Sequence, residues 1–458
     1  MSGERRLPFD LALLLLAYLS LALAYQRTVP LFEAPDEPSH VHYVALVALE
    51  HRLPADRGTP DVPGEGMQPP FYYVALAPLF SALVSADAAL PGELRRASLV
   101  AYRLGAAPEV PADARIKPIF LRHKTRRFAV DPQLEPLRRL RWGSLGFGLL
   151  GVALTWTAIR RAAESRPLAF LGASLLAFDP QVLFVSSYVN NDAASLAIGA
   201  AAFWRFAVAL QRPAPTRGDY AWLGLLTALG AATKDSTLPM LGATGLALLA
   251  VDRRPLRQRI VGALTGAGVA AAALSPLLAS NLARFGDLLG SGAVWASAAG
   301  QRGPADFGGL SAYFTDLYPY ATFESYWAWF GWQNVSAPKP VYLSFFALTF
   351  TGLLGFAIGA VRPRVAAPRQ RALFACLALT SAATLGMHVW LNTRVVAAQG
   401  RHLFAAAPQI ACILASGIAQ TASGHPLGPT WRVALAVSGG MAALALYCVA
   451  FVIAPAYI

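Results

Sequence analysis

The run LPFDLALLLLAYLSLALAY, from Leu7 to Tyr25, decides the fold class of this chain. It is about 20 residues of almost uninterrupted apolar sequence, the length that an α-helix needs to cross a bilayer. Arg5 and Arg6 precede it as in a signal peptide, but it is long and lacks a small-residue cleavage site. We therefore expect a retained first transmembrane helix.

The rest of the chain repeats this pattern. Hydrophobic residues make up 56% of the sequence, charged residues 14%, and the mean hydropathy is +0.46. Backbone groups in lipid must be satisfied internally, and the runs are too long and uniform for the alternation of a membrane barrel. The sequence predicts an all-α polytopic membrane protein.

About eleven transmembrane helices are predicted. After the first, they are Leu140–Ile159, Leu168–Tyr188, Ala193–Leu210, Tyr220–Thr233, Leu238–Val251, Ile260–Ala279, Val341–Val361, Ala372–Leu391, Leu403–Ala419 and Val433–Ile453. The implied layout is a first helix (1–26), a first outer loop (27–139), helices 2–7 (140–279), a second outer loop (280–340) and helices 8–11 (341–458). The polar segment from Ser85 to Arg139 is predicted as a water-facing subdomain.

Arginine-rich short loops set the orientation. They lie at 160–166, 253–259 and 362–371, and the positive-inside rule places them in the cytoplasm. The net charge of +13 is thereby assigned largely to loop ends, and no nucleic-acid motif accompanies it. Cysteines occur only inside apolar runs, so we expect neither a disulfide nor a metal–thiolate site.

A dense polar stretch, Phe-Glu-Ala-Pro-Asp-Glu-Pro-Ser-His-Val-His-Tyr from Phe32 to Tyr43, follows the first helix. It holds three carboxylates and two imidazoles and is predicted on the outer side. From Ser39 to Glu50 the pattern predicts a short amphipathic helix on the membrane surface. A Pro/Gly-rich loop follows, from Pro54 to Gly66.

With this topology, polar residues and charged residues of both signs lie together on the outer side of the membrane. They are Asp36, Glu37, Gln68, Asn190, Asn191, Asp192, Lys234, Asp235, Asn281, Arg284, Arg394, Gln399, Arg401 and His402. Ionisable groups at membrane depth are costly and usually functional. Their convergence predicts a site that contains carboxylates and cations.

Several motifs together resemble a known superfamily. They are Pro35-Asp36-Glu37, Gln68-Pro69-Pro70-Phe71-Tyr72-Tyr73, Asn190-Asn191-Asp192, Gly224-Leu225-Leu226 with Thr233-Lys234, Asn281 before Phe285-Gly286-Asp287, Phe330-Gly331-Trp332, and Gln399-Gly400-Arg401-His402-Leu403-Phe404. Their order resembles the C-type membrane glycosyltransferases (GT-C fold), which include protein O-mannosyltransferases and lipid A aminoarabinose transferases. The set is most similar to a bacterial branch of predicted transferases.

The resemblance implies transfer of a sugar from a polyprenyl-phosphate-linked donor to a lipid, glycan or protein acceptor. Asp36 is the candidate general base, and Glu37 is expected to orient the acceptor or hold a cation. Lys234 and Arg401 are the candidate cations for the donor phosphate, whose negative charge grows as the glycosidic bond breaks. The residues assigned to substrate binding are His40, Gln68, Tyr72, Asn191, Arg284 and His402.

The implied setting is a bacterial inner membrane, with the active site on the outer face and membrane lipids around it. No nucleic-acid partner is expected. No metal ligand set is assigned, since the i, i+2 spacing of His40 and His42 does not place both on one helix face. Metal dependence differs within the superfamily, so a divalent cation is left open.

Each candidate also has a structural interpretation. Asp36 and Glu37 would only cap the surface helix, and His40 and His42 would only pack. Lys234 would extend to the headgroups, and Arg401 would bind ordinary lipid. Asn190–Asp192 would be a helix cap, and the aromatic cluster Tyr326–Trp332 an interfacial belt rather than a sugar platform.

Two other functions remain as alternatives. One is a polytopic transporter or flippase of a lipid-linked or envelope glycan, because intramembrane charges also mark transport paths. The other is a non-catalytic scaffold in which the acidic stretch would be dispensable. Replacing Asp36 by Asn separates the three functions.

Overall fold

The computed structural model describes residues 8–55, 61–62, 64–84, 135–290, 301–361 and 368–457. Most of the segment predicted as a water-facing subdomain, 85–134, lies outside these ranges. The helices are α1 (Phe9–Thr28), α2 (Glu37–Glu50), α3 (Phe71–Val84), α4 (Glu135–Arg138), α5 (Arg141–Ala163), α6 (Arg166–Ala177), α7 (Pro180–Ser186), α8 (Asp192–Ala209), α9 (Arg217–Ala231), α10 (Leu238–Val251), α11 (Leu256–Phe285), α12 (Gly309–Ala312), α13 (Tyr318–Trp327), α14 (Lys339–Val361), α15 (Pro368–Asn392), α16 (Ala407–Ser423), α17 (Trp431–Tyr447) and α18 (Ala454–Tyr457).

Shorter elements connect them. Helical turns of 3₁₀ type occur at Asp235–Thr237, Pro304–Phe307 and Gly400–Ala406, and π-helical turns at Tyr313–Leu317 and Cys448–Ile453. Strands β1 (Trp329–Phe330) and β2 (Val335–Ser336) form one antiparallel hairpin, in which Trp329 pairs with Ser336.

The predicted fold class is confirmed. Within the described ranges, eight helices are long and apolar enough to span a membrane: α1, α5, α8, α11, α14, α15, Gly400–Ser423 and Trp431–Tyr457. The pair α6 and α7, bent by 63°, makes a ninth span if counted as one. The protein is therefore a multi-pass helical membrane protein.

The count differs from the predicted eleven at two places. The predicted spans 220–233 and 238–251 fold as α9, of 15 residues, and α10, of 14 residues, with the turn at Asp235 between them. At 1.5 Å per residue they are about 21 to 23 Å long, short of the ~30 Å hydrocarbon core. Neither is long enough to be counted as a full span.

The interior is formed by helices that pack closely on one another. The spans at 192–209 and 400–423 are the most buried, whereas α11 is largely exposed along its length, as a lipid-facing helix would be. Gly199 in α8 lets the 400–406 turn approach closely, since a Cβ there would lie 1.8 Å from the Ala405 carbonyl oxygen. This approach fixes the position of the turn that carries Arg401.

The predicted surface helix exists as α2, which begins two residues earlier than expected. Nine of its 14 residues are buried, so it is not the amphipathic helix that the pattern indicated. The reason is α3, which covers one side of it: Tyr43 stacks on Tyr73 with ring centroids 3.8 Å apart. The acidic start of α2 is thereby held inside the protein.

Candidate functional site

A buried ion pair anchors the acidic stretch. The Arg141 guanidinium donates hydrogen bonds to both carboxylate oxygens of Glu37, with Nε–Oε1 and Nη2–Oε2 distances of 2.7 Å. Both side chains are fully buried. The Glu37 carboxylate also accepts hydrogen bonds from the backbone N–H groups of Phe32 and Val189. Since four donors occupy this carboxylate, no oxygen is left for an acceptor or a cation, and the geometry makes Glu37 an anchor of the loop.

Arg141 completes the anchor from α5. Beyond Glu37 it donates to the backbone carbonyls of Gln26, Val29 and Pro30 at 2.8–3.2 Å. These are the last residues of α1 and the first of the loop that follows. One guanidinium therefore fixes the exit of the chain from α1.

Asp36 precedes this anchor and faces a different direction. It occupies the N-cap position of α2 in the left-handed conformation, with φ of 61°, and its side chain makes no capping bond to the helix. Its Oδ2 instead accepts Arg401 Nη2 at 2.7 Å. The Asp36 side chain is 29% exposed, so solvent reaches the carboxylate.

Arg401 is held from three sides. Its Nε donates to Gln399 Oε1 at 2.6 Å, its Nη1 to the Tyr188 hydroxyl at 3.4 Å, and its Nη2 to Asp36. Gly400 allows the turn to pack against α13, since a Cβ there would lie 2.3 Å from the Tyr326 backbone. The Arg401 side chain is thus pointed into the protein rather than toward lipid.

Asp192 links the two predicted cations. Its Oδ1 lies 2.5 Å from Lys234 Nζ, and its Oδ2 lies 3.6 Å from Arg401 Nη1. Asp192 is buried, and the Lys234 side chain is only 14% exposed. Asp36, Asp192, Lys234 and Arg401, called the charge cluster below, therefore form one continuous ionic network from four separate segments of the chain.

Gln68 and Asn191 join the first loop to the loop of Lys234. Asn191 Nδ2 donates to Gln68 Oε1 at 3.2 Å and to the Thr233 carbonyl at 3.1 Å. The Gln68 carbonyl accepts the Tyr43 hydroxyl at 3.3 Å. Both residues lie beside the charge cluster, and their mutual contacts hold its walls together.

Tyr72 is fully buried behind this layer. Its hydroxyl bonds Ser144 Oγ at 2.7 Å and accepts the Asn190 backbone N–H at 3.0 Å. Tyr72 therefore ties α3 to α5 and to the start of α8. With no exposed surface, its contacts are those of a supporting residue and not of a substrate contact.

His40 is buried in α2, where its Nδ1 bonds the Tyr73 hydroxyl at 2.9 Å. Burial lowers the pKa of His40 to about 4, with nearby Asp36 opposing that shift and Arg401 adding to it. The imidazole is therefore neutral at pH 7. It packs beside the charge cluster as an uncharged group.

Arg284 and His402 lie at the edges of the site. Arg284, at the end of α11, donates to the Pro54 carbonyl at 2.8 Å and to Asn281 Oδ1 at 3.0 Å, and so ties α11 to the first loop. His402 is next to Arg401, and its ring lies 5.6 Å from that of His388. Its Nδ1 is buried and lacks a hydrogen-bond partner within the described ranges.

The structural interpretations can now be compared with these contacts. Asn191 is the N-cap residue of α8 and makes no capping bond, but the preceding Asn190 accepts the Asp192 backbone N–H on its Oδ1 at 2.8 Å and so satisfies a donor at the start of the helix. The aromatic residues of β1 are core residues rather than an interfacial belt: Phe330 packs on Tyr25 and Phe184, with ring centroids 6.3 and 5.5 Å away. The Trp332 indole donates to the Phe32 carbonyl, which steadies the chain just before Asp36.

Three residues at or near the site receive no role from the sequence. Asp192 is one of the outer polar residues, and its position within Asn190-Asn191-Asp192 is the signal that the sequence offers. Arg141 lies at the start of an apolar span, where an arginine indicates a buried partner. Glu65 lies in a Pro/Gly-rich loop, and nothing in that context separates it from a solvated side chain.

Metal binding is not indicated by the described part of the chain. No group of three or more His, Cys, Asp or Glu side chains there is arranged to hold an ion. The carboxylates of the charge cluster face cations instead, with Asp36 on Arg401 and Asp192 on Lys234. Charge neutralisation at this site is thus supplied by basic side chains.

A cavity of about 450 Å³ lies at the far end of α2. It is lined by Val47, Ala48, His51, Arg52, Leu53, Val74, Ala77, Pro78 and Ser81. The 14 residues of α2 span about 21 Å, which separates this cavity from the charge cluster at the other end of the helix. We assign it no part in the chemistry.

Comparison with known proteins points to one class. Residues 135–279 match the family model described as dolichyl-phosphate-mannose-protein mannosyltransferase, and no curated protein matches the chain. The match covers less than half of the sequence; it includes Asp192 and Lys234 but neither Asp36 nor Arg401. It supports a membrane glycosyltransferase that uses a polyprenyl-phosphate-linked sugar.

Proposed function

We propose that this protein transfers a sugar from a polyprenyl-phosphate-linked donor to a hydroxyl acceptor at the charge cluster. The observation that carries the proposal is the single network in which Asp36 contacts Arg401 while Arg401 and Lys234 share Asp192. It combines a solvent-accessible carboxylate with two partly buried cations. Glycosyl transfer from a lipid phosphate requires this combination of groups.

Lys234 and Arg401 bind the donor phosphate in this proposal. The phosphate replaces part of their present contacts with Asp192 and Asp36, because an anionic phosphodiester offers two unesterified oxygens as acceptors to the guanidinium and the ammonium. Tyr188 and Gln399 keep Arg401 oriented during the exchange. As the glycosidic bond breaks, negative charge accumulates on the phosphate, and both cations stabilise it.

Asp36 acts as the general base. Donor binding draws Arg401 toward the phosphate, which frees Asp36 Oδ2 to accept the proton of the acceptor hydroxyl. The attack forms the new glycosidic bond and expels the polyprenyl phosphate. The Glu37–Arg141 anchor holds the adjoining backbone, so Asp36 remains in place when its own ion pair is exchanged.

The setting follows from the sequence pattern. The positive-inside rule places the charge cluster on the outer face, and the resemblance favours a bacterial inner membrane. The acceptor is a lipid, glycan or protein hydroxyl that approaches from the exposed side of Asp36. Gln68 and His402 are half-buried in the neighbouring region and are the candidates for sugar contacts, whereas the buried Asn191 supports Gln68 from behind.

The transporter alternative finds less support. The bent pair α6 and α7 has a broken helix, a feature of transporter binding sites. However, Asp179 caps the N-terminus of α7, with Oδ1 accepting the backbone N–H groups of Gln181 and Val182. Because its own side chain occupies these donors, this helix end is not available for a substrate anion.

Reconstituted protein tests the proposal. Proteoliposomes are supplied with polyprenyl-phosphate-linked mannose and a mixed lipid and peptide acceptor pool, and release of polyprenyl phosphate is measured together with the new glycosidic product. Lys234→Met and Arg401→Met should weaken donor binding at least tenfold, since each removes a phosphate contact. Arg394→Gln, at an exposed arginine of the same loop, is the matched control.

Two results would overturn the proposal. One is donor flux across the membrane without a glycosidic product, which would identify a transporter. The other is donor affinity in both methionine variants equal to that of the control, which would remove the charge cluster from donor binding.

A further inference from the structure

A second carboxyl group faces the charge cluster from the first loop. Glu65 lies between Gly64 and Gly66 in a turn, where the Gln68 backbone N–H donates to the Glu65 carbonyl at 3.0 Å. Gly64 adopts a φ of +78°, a conformation that glycine accepts without strain. The turn is so compact at Gly66 that a Cβ there would lie 2.8 Å from the Val62 carbonyl oxygen, so only glycine fits without a shift.

The turn is fastened on two sides. Tyr43 of α2 donates to the Gln68 carbonyl, and Asn191 donates to Gln68 Oε1. These contacts attach the turn to the helix that begins after Asp36 and to the loop that holds Asp192. Glu65, three residues before Gln68 in the same turn, is thereby held near the charge cluster, whose members all act on it electrostatically.

The surroundings of Glu65 are charged, yet within the described ranges its carboxylate has no hydrogen bond or ion pair. Asp36, Asp192, Arg401 and Lys234 all act on it electrostatically, and it acts in turn on Tyr73. The carboxylate that has a structural role at this site, Glu37, is by contrast fully buried and paired with Arg141. Glu65 is only half-buried, so water reaches it.

The balance of charge affects its protonation. Asp36 and Asp192 already match the charges of Arg401 and Lys234, so an ionised Glu65 would add an uncompensated negative charge. Burial, and then Asp36, raise the pKa of Glu65 to about 7, while Arg401 and Lys234 oppose the shift. A carboxyl group that titrates near neutral pH can both accept and release a proton under working conditions.

We propose that Glu65 receives the acceptor proton from Asp36 and passes it to solvent, so that Asp36 is ionised again before the next turnover. This inference rests on the proposed function and adds the exit route of the proton. Glu65 does not contact the acceptor in this scheme; it acts through Asp36.

The steps balance without any further reagent. The acceptor hydroxyl loses its proton to the Asp36 carboxylate as its oxygen bonds the sugar and the polyprenyl phosphate leaves with the bonding electron pair. The proton of the Asp36 carboxyl then moves to the Glu65 carboxylate, directly or through water. Glu65 finally transfers it to bulk water and both carboxylates are restored.

The pH dependence of turnover tests the relay. For the wild type, kcat should rise as pH increases through about 7, because Glu65 must be ionised to take the proton from Asp36. In Glu65→Gln this rise should disappear and kcat should fall about 10-fold to 100-fold, with donor KM changed less than about twofold. Glu65→Asp should keep the rise at reduced kcat.

A diffusible proton carrier gives a second readout. Imidazole buffer at fixed pH should increase kcat of Glu65→Gln in proportion to its concentration, because it takes the proton from Asp36 directly. Asp36→Asn should show no such rescue. Glu50→Gln, which removes a carboxylate paired with exposed Arg52 in the same loop, is the control and should behave as wild type.

The outcomes distinguish the relay from the proposed function. Wild-type kcat and pH profile in Glu65→Gln, with Asp36→Asn inactive, would overturn the relay alone. A loss in Glu65→Gln that appears in donor KM with an unchanged pH profile would also overturn it, since that indicates a binding or structural role. Full activity of Asp36→Asn would instead overturn the proposed function.

Discussion

The anchor of the acidic stretch makes a strong prediction for stability. Glu37→Gln leaves the Arg141 guanidinium buried without a counter-charge, since both side chains have no exposed surface. Removing one partner of a buried ion pair costs about 3–5 kcal/mol in typical cases. Three bonds from Arg141 to backbone carbonyls persist in the variant, so we expect a value near the lower limit, about 3 kcal/mol.

A double-mutant cycle isolates the pair from other effects. Glu37→Gln, Arg141→Met and the double variant are unfolded by heat in nanodiscs, and the change in unfolding free energy is compared with that of the wild type. Because the double variant removes both charges, it should be less destabilised than the sum of the single variants, with a coupling of about 1–3 kcal/mol. Arg161→Gln, at an exposed arginine of the same helix, is the control.

The same variants should lose transfer activity under mild conditions. Asp36 is the residue before Glu37, so loosening the anchor should displace the carboxylate that we propose as general base. Glu37→Gln with unfolding free energy within about 0.5 kcal/mol of the wild type would refute this reasoning, because a surface substitution has that effect. It would mean that the guanidinium is solvated or paired elsewhere.

His40, Gly199 and Asp192 each make a contact whose loss can be measured. Folding stability should fall by about 3 kcal/mol as pH decreases from 6.5 to 4. The pKa of His40 is depressed to about 4 in the folded protein but is near 6.5 in the unfolded chain, so in this pH range the unfolded state binds the proton preferentially. Unfolding curves of His40→Gln should lack this part of the pH dependence. Gly199→Val should destabilise by about 1–3 kcal/mol and reduce transfer, because its Cβ would meet the Ala405 carbonyl, whereas Gly146→Val, with open space around its Cβ, should not. Asp192→Asn should raise donor KM more than it lowers kcat, since Lys234 and Arg401 lose the carboxylate that orients both; a normal KM in titrations with the donor would contradict that role.

The sequence predicts the fold class from hydropathy alone, because each lipid-exposed helix must be apolar throughout. Hydropathy overestimates the number of spans where a segment is apolar enough to cross the membrane but folds into helices that are too short to do so. Residues 220–251 are apolar enough to be read as two spans, but Lys234 is drawn into an ion pair with Asp192, and the chain turns at Asp235 instead of continuing.

The site is predictable only in part. Lys234 and Arg401 adjoin apolar runs, and Asp36 lies in a dense polar stretch of an otherwise apolar chain, so the cost of burying a charge makes each conspicuous. Their partners are harder to predict, because contacts such as Arg141 with Glu37 join positions about a hundred residues apart and depend on helix packing. Glu65 is the extreme case: the charges around it come from four separate segments of the chain, and no local sequence pattern indicates them.

The role of Asp36 is tested most directly by single-turnover transfer in Asp36→Asn. The donor is bound first, acceptor is added, and the rate of glycosidic bond formation is measured alongside donor affinity. Asp61→Asn, at a carboxylate of the same loop that pairs with exposed Arg52, is the control. We expect donor affinity in Asp36→Asn within about twofold of the wild type and a transfer rate reduced by about 10²–10⁴, the usual effect of losing a general base. Transfer at the rate of the control would contradict the proposed role of Asp36.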